Sequence, residues 1–307
     1  MKDDPMLTRR RVLSIAAAAC AWPAAARTPL HVETGWALGT QVSLRLAHPE
    51  APVIAAAALA EISRLEDIFS LYRPDSALSR LNAVGRLEAP PAELLECLSL
   101  AGAVYHASAG RFDPTIQPLW RALATAAQTG RPLSNTARRA ALEVTGWPKV
   151  TLEARAISLP SGAALTLNGI AQGYVADRVA TFLADRGLTN TLIDTGELRA
   201  LGHDPRTGGP WPVRFAAGGD IGLAQRALAT SAPLGMTFGG DGVQGHILDP
   251  RTGSSAASPW AALSVSSSSA ALADAVSTAA CLCDTRADVF GLCDAFPDTR
   301  LEAAHRA

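Results

Sequence analysis

Near Trp147 the sequence changes its period, and that change restricts the fold more than any other feature. Before it, apolar residues recur at helical spacing: Leu59, Ile62, Leu65, Ile68 and Phe69 mark a helix over 51–69. A break at Arg73-Pro74-Asp75 leads into a short helix in SALSRLN. Pro90-Pro91 open another, which runs through Leu94, Leu98 and Val104 and ends near Gly110. Stretches 116–127 and 135–145 read as further helices joined by TGRPLSN. After Trp147, VTLEA, AISL and ALTLN are short β segments split by Gly and Pro. TLID, ELRALG, WPVRFA, LAQRALATS and AALSVS read as strands. Two helices interrupt them. One runs from Ile170 to Arg186, with Tyr174, Val175, Val179, Phe182 and Leu183 along one stripe and Gly187 placed to cap it. The other is ALADAVSTAACL. Ahead of the first helix, GTQVSLRL at 39–46 alternates Val42, Leu44 and Leu46 with polar residues, the pattern of a half-buried strand. A helix-rich first half and a strand-rich second half predict an α+β protein with two interleaved lobes.

The N-terminus reads as a targeting segment. Thr8-Arg9-Arg10-Arg11-Val12-Leu13 is similar to a twin-arginine export signal, the apolar run to Trp22 is too short to span a bilayer, and Ala24 and Ala26 form an A-x-A site. The expected division is a signal peptide over 1–26 and a mature domain over 27–307, working in the periplasm. Cys20 follows Ala17-Ala18-Ala19, where a lipid-anchor site usually has a larger aliphatic residue. An inner-membrane lipid anchor is therefore the secondary alternative. With a net charge of −1 the chain has no electrostatic footprint for a nucleic-acid partner. Cys97, Cys281, Cys283 and Cys293 form no C-x-x-C pair, so buried thiols are expected, with a disulfide as the minor alternative.

Common site motifs fail on context. Gly240-Asp241-Gly242-Val243-Gln244-Gly245 fits G-x-G-x-x-G, but His246-Ile247-Leu248-Asp249-Pro250 follows instead of a helix. There is no Walker A lysine, no H-E-x-x-H and no nucleophile elbow. What remains is a series of short turn-and-polar clusters and one oddity. In ALADAVSTAA, Asp274 and Thr278 stand four apart, on one face of an otherwise apolar helix.

In order, the clusters are LGT at 38–40, SALSRLN at 76–82, GRFDPTIQPLW at 110–120, TLNGIAQGYVAD at 166–177, HILDPRTG at 246–253 and ADAVST at 273–278. Together they resemble the motifs of the FAD:protein FMN transferase (ApbE) family, from about residue 33 to about 295. The resemblance implies an ApbE-like fold with the nucleotide site between the lobes, and makes 27–307 a flavin transferase catalytic domain. It implies Mg²⁺-dependent transfer of the FMN half of FAD, through its phosphate, onto a Thr or Ser hydroxyl of a target protein, with AMP leaving. By motif position Mg²⁺ falls to Asp274 and Thr278 with main-chain oxygens of Ser277 and Gly169. FAD contacts fall to Leu38, Arg111, Phe112, Asp113, Thr166, Gln172 and Ile247. The implied partner is a protein with an FMN-binding domain, of the kind found in membrane electron-transfer systems.

The chemistry agrees with that assignment. Mg²⁺ prefers hard oxygen ligands and few carboxylates, and Gly169 and Gly173 flank a helix start, where bare N–H groups favour phosphate. His246 has two readings, a general base for the incoming hydroxyl or a turn histidine bonded to local backbone. The chain also departs from the family pattern. Leu38 replaces Met, Thr166 replaces an Asp, Gln172 replaces Lys or Glu, Gly196-Glu197 stands for Gly-Gly, and Gly245 replaces a first His. These changes keep two alternatives open: an FAD diphosphatase giving FMN and AMP, and a non-catalytic flavin-binding scaffold.

Overall fold

The computed structural model describes residues 28–215, 218–238 and 242–307. The expected signal peptide, with Cys20, lies outside the described residues. Seven strands form one antiparallel sheet in chain order. They are β1 (His31–Ala37), β2 (Thr40–Leu46), β3 (Thr191–Asp194), β4 (Leu198–Leu201), β5 (Ala227–Ser231), β6 (Trp260–Ser267) and β7 (Arg300–Arg306). Val42, Leu44 and Leu46 point to one face and are fully buried, as the alternation in 39–46 predicts.

Eight helices accompany the sheet among the described residues: α1 (Ala51–Phe69), α2 (Ala77–Val84), α3 (Ala92–Ala107), α4 (Gln117–Gln128), α5 (Asn135–Val144), α6 (Ala171–Ala184), α7 (Ala270–Ala280) and α8 (Arg286–Asp294). The main core joins β2 to α1, α6 and α7 through Ile62, Leu65, Val175, Val179, Leu183 and Val276. Burying each such aliphatic side chain contributes about 2 kcal/mol. On the opposite face a hairpin of Trp211–Arg214 and Asp220–Leu223 lays Trp211 against Leu192, Ala200 and Leu228. A third, smaller core gathers Leu119, Leu123, Ala141, Phe238 and Leu248 from α4, α5 and two short ribbons, Thr237–Phe238 with Gln244–Gly245 and Leu248–Asp249 with Ser254–Ser255. It is stitched from segments before and after the central strands, which is the interleaving the sequence suggests.

Three parts differ from the sequence expectation. ALTLN is not a strand, because Asn82 on α2 bonds both backbone groups of Leu165, donating to its carbonyl at 2.8 Å and accepting its N–H at 2.7 Å. A side-chain amide there takes the place of a neighbouring strand. Strand β1 and the closing pair α8 and β7 carry no period in the sequence strong enough to mark them. The four described cysteines are buried and free, without a disulfide.

Candidate functional site

A cleft of about 400 Å³ opens between the main core and the small third cluster. It is walled by α7 and the ends of β4 and β5 on one side, and by Ile116, Trp120, Met236 and Leu248 on the other. Trp120 stands edge-on to Phe238 with centroids 5.3 Å apart, which fixes that apolar wall.

Helix α7 supplies the polar floor. Ser269 caps its N-terminus by accepting the Leu272 N–H. The Asp177 carboxylate of α6 then fastens the same end, accepting the Ser269 hydroxyl at 2.8 Å and the Ala271 N–H at 3.1 Å while pairing with Arg199 at 3.1 Å. This clamp sets where Asp274 and Thr278 sit, one helical turn apart on the cleft side. Helix α6 approaches closely enough that a Cβ on Gly173 would lie 2.2 Å from the carbonyl oxygen of Ala270.

Asp274 is only 3% exposed, and its Oδ2 accepts the Gly173 N–H at 3.3 Å. Its Oδ1 accepts no hydrogen bond from the described residues. Burial pushes this carboxyl up to about 7. The Ser277 hydroxyl donates to the Asp274 carbonyl at 2.9 Å, so Ser231 must donate to Ser277 at 2.7 Å. Ser231 Oγ then stands 3.3 Å from Thr278 Oγ1 as an acceptor, leaving the Thr278 lone pairs unspent. Gly169 packs on the same hydroxyl, since a Cβ there would lie 3.1 Å from Thr278 Oγ1. An under-bonded buried carboxylate, a hydroxyl and close glycine backbone form a donor set that fits a hard divalent cation. Ser277 does not line the cleft. Its side chain turns to Ser231, and its carbonyl accepts the Cys281 N–H at 3.3 Å.

Most of the expected nucleotide contacts meet here. Arg111, Phe112, Asp113, Thr166, Gln172 and Ile247 all line the cleft. Arg111 follows a left-handed turn at Ala109 and Gly110 and donates to the carbonyls of Leu282 and Ser108, both at 3.1 Å. Its Nη2 keeps no protein acceptor among the described residues. Asp113 is different, because the fold uses its carboxylate. It accepts Thr115 N–H at 2.8 Å, the Thr115 hydroxyl at 2.6 Å and Trp147 N–H at 3.2 Å, and burial pushes its pKa up. That network pins the loop whose Pro114 carbonyl receives the Thr166 N–H at 2.7 Å. Leu38 is not among the cleft-lining residues. It sits with Gly39 in the two-residue turn between β1 and β2, both at positive φ, and its N–H donates to Glu66 at 3.1 Å.

For His246 the two sequence readings merge. Its Nδ1 lies 3.0 Å from the carbonyl of Met236, which can only accept, so Nδ1 carries the proton. The backbone bond thereby fixes the tautomer that leaves Nε2 basic, and His246 lines the cleft. Burial holds its pKa below the ordinary value, favouring the neutral ring.

Sequence reasoning gave no role to Glu197, Thr230, Ser231 or Trp120, all of which line the cleft. Trp120 closed the GRFDPTIQPLW motif and Glu197 was a departure from Gly-Gly, while Thr230 and Ser231 carried no signal. Among the described residues no group of three or more His, Cys, Asp or Glu side chains could hold a metal. A cation held here would draw on hydroxyl and backbone oxygens beside the Asp274 carboxylate.

Fold and cleft together define an α+β protein with an oxygen-lined floor and an apolar wall, suited to a flat ligand that carries phosphate. Over residues 38–292 the chain matches the ApbE family, and it belongs to that family. It is 28% identical over 235 residues to the FAD:protein FMN transferase of Klebsiella pneumoniae (strain 342), covering 70% of this chain and 71% of that protein. To the FAD:protein FMN transferase of Vibrio cholerae serotype O1 it is 32% identical over 218 residues, covering 63% of each. The crystal structure of the apo Pseudomonas stutzeri flavinyl transferase ApbE superposes with a TM-score of 0.77 at 26% identity, covering 87% of this chain and 88% of that one. The ApbE protein of Thermotoga maritima gives 0.77 at 27% identity, covering 91% and 97%.

Proposed function

We propose that this chain is an FAD:protein FMN transferase that uses Mg²⁺ and acts on an exported flavoprotein. The observation that carries the reading is the meeting of Asp274, Thr278 and a tautomer-fixed His246 in one cleft. Here FAD lies with its pyrophosphate over the floor formed by Asp274, Thr278 and the first turn of α6, where the positive end of the helix dipole favours anions. Arg111 reaches the same space with an uncommitted Nη2. Trp120, Phe112, Ile247 and Leu248 present apolar surface to the rings and exclude water from the reacting phosphate.

The acceptor Thr or Ser hydroxyl attacks the FMN phosphorus. His246 Nε2 takes the hydroxyl proton, a new P–O bond to the acceptor forms, and the pyrophosphate P–O bond to AMP breaks. Asp274 and Thr278 would hold Mg²⁺, which would supply neutralisation of the charge that builds on the pyrophosphate. The twin-arginine-like segment supports a periplasmic site of action. The partner is an FMN-binding domain of a membrane electron-transfer protein.

Chromatography of AMP tests the reading. AMP is expected only when FAD, Mg²⁺ and an FMN-binding acceptor domain are all present, and it should vanish with EDTA. AMP formation at the same rate without acceptor would replace transfer by hydrolysis.

A further inference from the structure

Glu197 immediately precedes β4 and enters the cleft from the sheet side. Thr230 on β5 lines the cleft beside it. The turn that carries Glu197 is rigidly held. Thr195 N–H donates to the Glu197 carbonyl at 3.1 Å, and the Thr195 hydroxyl donates to the Gln172 carbonyl at 2.9 Å. Gly196, at φ +98°, lies beneath the Gln172 amide, where a Cβ would come within 2.7 Å of Nε2. The arrangement fixes Glu197 against the first turn of α6, the turn whose Gly173 N–H holds Asp274.

On the same wall stands Asp274, buried, with Oδ1 lacking a donor among the described residues, next to Thr278 and Ser231. We propose that Glu197 is the second carboxylate of the cation seat, meeting directly or through a bound water the cation that Asp274 and Thr278 hold. This rests on the reading of a divalent cation at Asp274. Glu197 and Asp274 line one cleft with Thr278 and are tied to the same first turn of α6, so two carboxylates share a partly buried space where bare like charges are costly. A divalent cation between them removes that cost and is itself neutralised. One carboxylate would leave a net positive seat that depends on the pyrophosphate to complete it. Two carboxylates make the cation resident before FAD arrives.

The test is a Mn²⁺ titration of the FAD-free full chain, followed by the EPR signal of the free aquo ion. Wild type is expected to bind Mn²⁺ without nucleotide. E197Q keeps the shape but removes the charge, and should weaken Mn²⁺ at least tenfold with an unchanged thermal midpoint. E197D, which keeps the charge on a shorter arm, should fall between the two and decides the matter if E197Q does not fold. Equal Mn²⁺ affinity in wild type and the folded variants would overturn the proposal. Binding in wild type only when FAD is present would also overturn it, while leaving the flavin reading standing. No Mn²⁺ binding under either condition would overturn the cation reading itself.

Discussion

The backbone N–H of Gly173 donates to Oδ2 of Asp274 at 3.3 Å, joining the first turn of α6 to the middle of α7. The contact exists because residue 173 has no side chain. A Cβ there would fall 2.2 Å from the Ala270 oxygen and 2.8 Å from the Ala271 nitrogen. Gly173→Ala must therefore push the helices apart, at a cost of at least about 2 kcal/mol. Thermal unfolding should show the loss of stability, and transfer should fall with it even where the variant remains folded. An alanine variant with wild-type activity would mean the helix contact does not hold the site.

Asp177 acts at one remove from the chemistry. Its carboxylate fastens the N-terminus of α7 and pairs with Arg199. Asp177→Asn retains one acceptor oxygen but loses the charge, and should cost about 2 kcal/mol. Because α7 carries both Asp274 and Thr278, the half-saturating Mg²⁺ concentration should rise more than the KM for FAD. Titrating activity with each separately checks that split. A purely structural role for Asp177 would lower Tm and leave both concentrations unchanged.

The pH dependence follows from His246. Burial lowers its folded pKa, so the neutral, basic form persists below the ordinary value of about 6.5. The rate should stay level as pH falls to about 6.5 and decline below it. The same shift gives stability the same sign: it is retained above the unfolded pKa and lost as pH falls through the folded one. His246→Gln should cut the transfer rate roughly 100-fold or more and abolish that acid limb. Rate profiles of the two proteins between pH 5 and 8 check it, a window spanning roughly 1.5 units either side of a free imidazole.

Some of this site was legible in the chain and some was not, for physical reasons. Helical spacing put Asp274 and Thr278 on one face, but their role, and those of Arg111, Thr166 and Gln172, came from the order of motifs that resembles the ApbE family, since turn chemistry alone is common. Glu197 and Ser231 could not be placed in the same way. They sit at strand ends, and which residue of a strand end faces a cleft depends on partners distant in sequence, here Gln172, which anchors the Glu197 turn through Thr195, and Ser277 for Ser231. Leu38 shows the converse. Its motif was recognisable, yet the hairpin turn with Gly39 binds its N–H to Glu66, and it is not among the cleft-lining residues. Asp113 was found for its motif, but its carboxylate serves the loop joining Thr115 to Trp147.

The central claim is covalent transfer onto protein, and in-gel flavin fluorescence of the acceptor measures it most directly. The purified chain is incubated with FAD, Mg²⁺ and an FMN-binding acceptor domain, beside Asp274→Ala and an acceptor whose target hydroxyl is removed. A fluorescent acceptor band that appears only with the wild-type pair, matched by an acceptor mass increase of one FMN moiety, is the expected result. An unlabelled acceptor with FMN and AMP free in solution, or with FAD intact, would contradict the account, as would full labelling by Asp274→Ala.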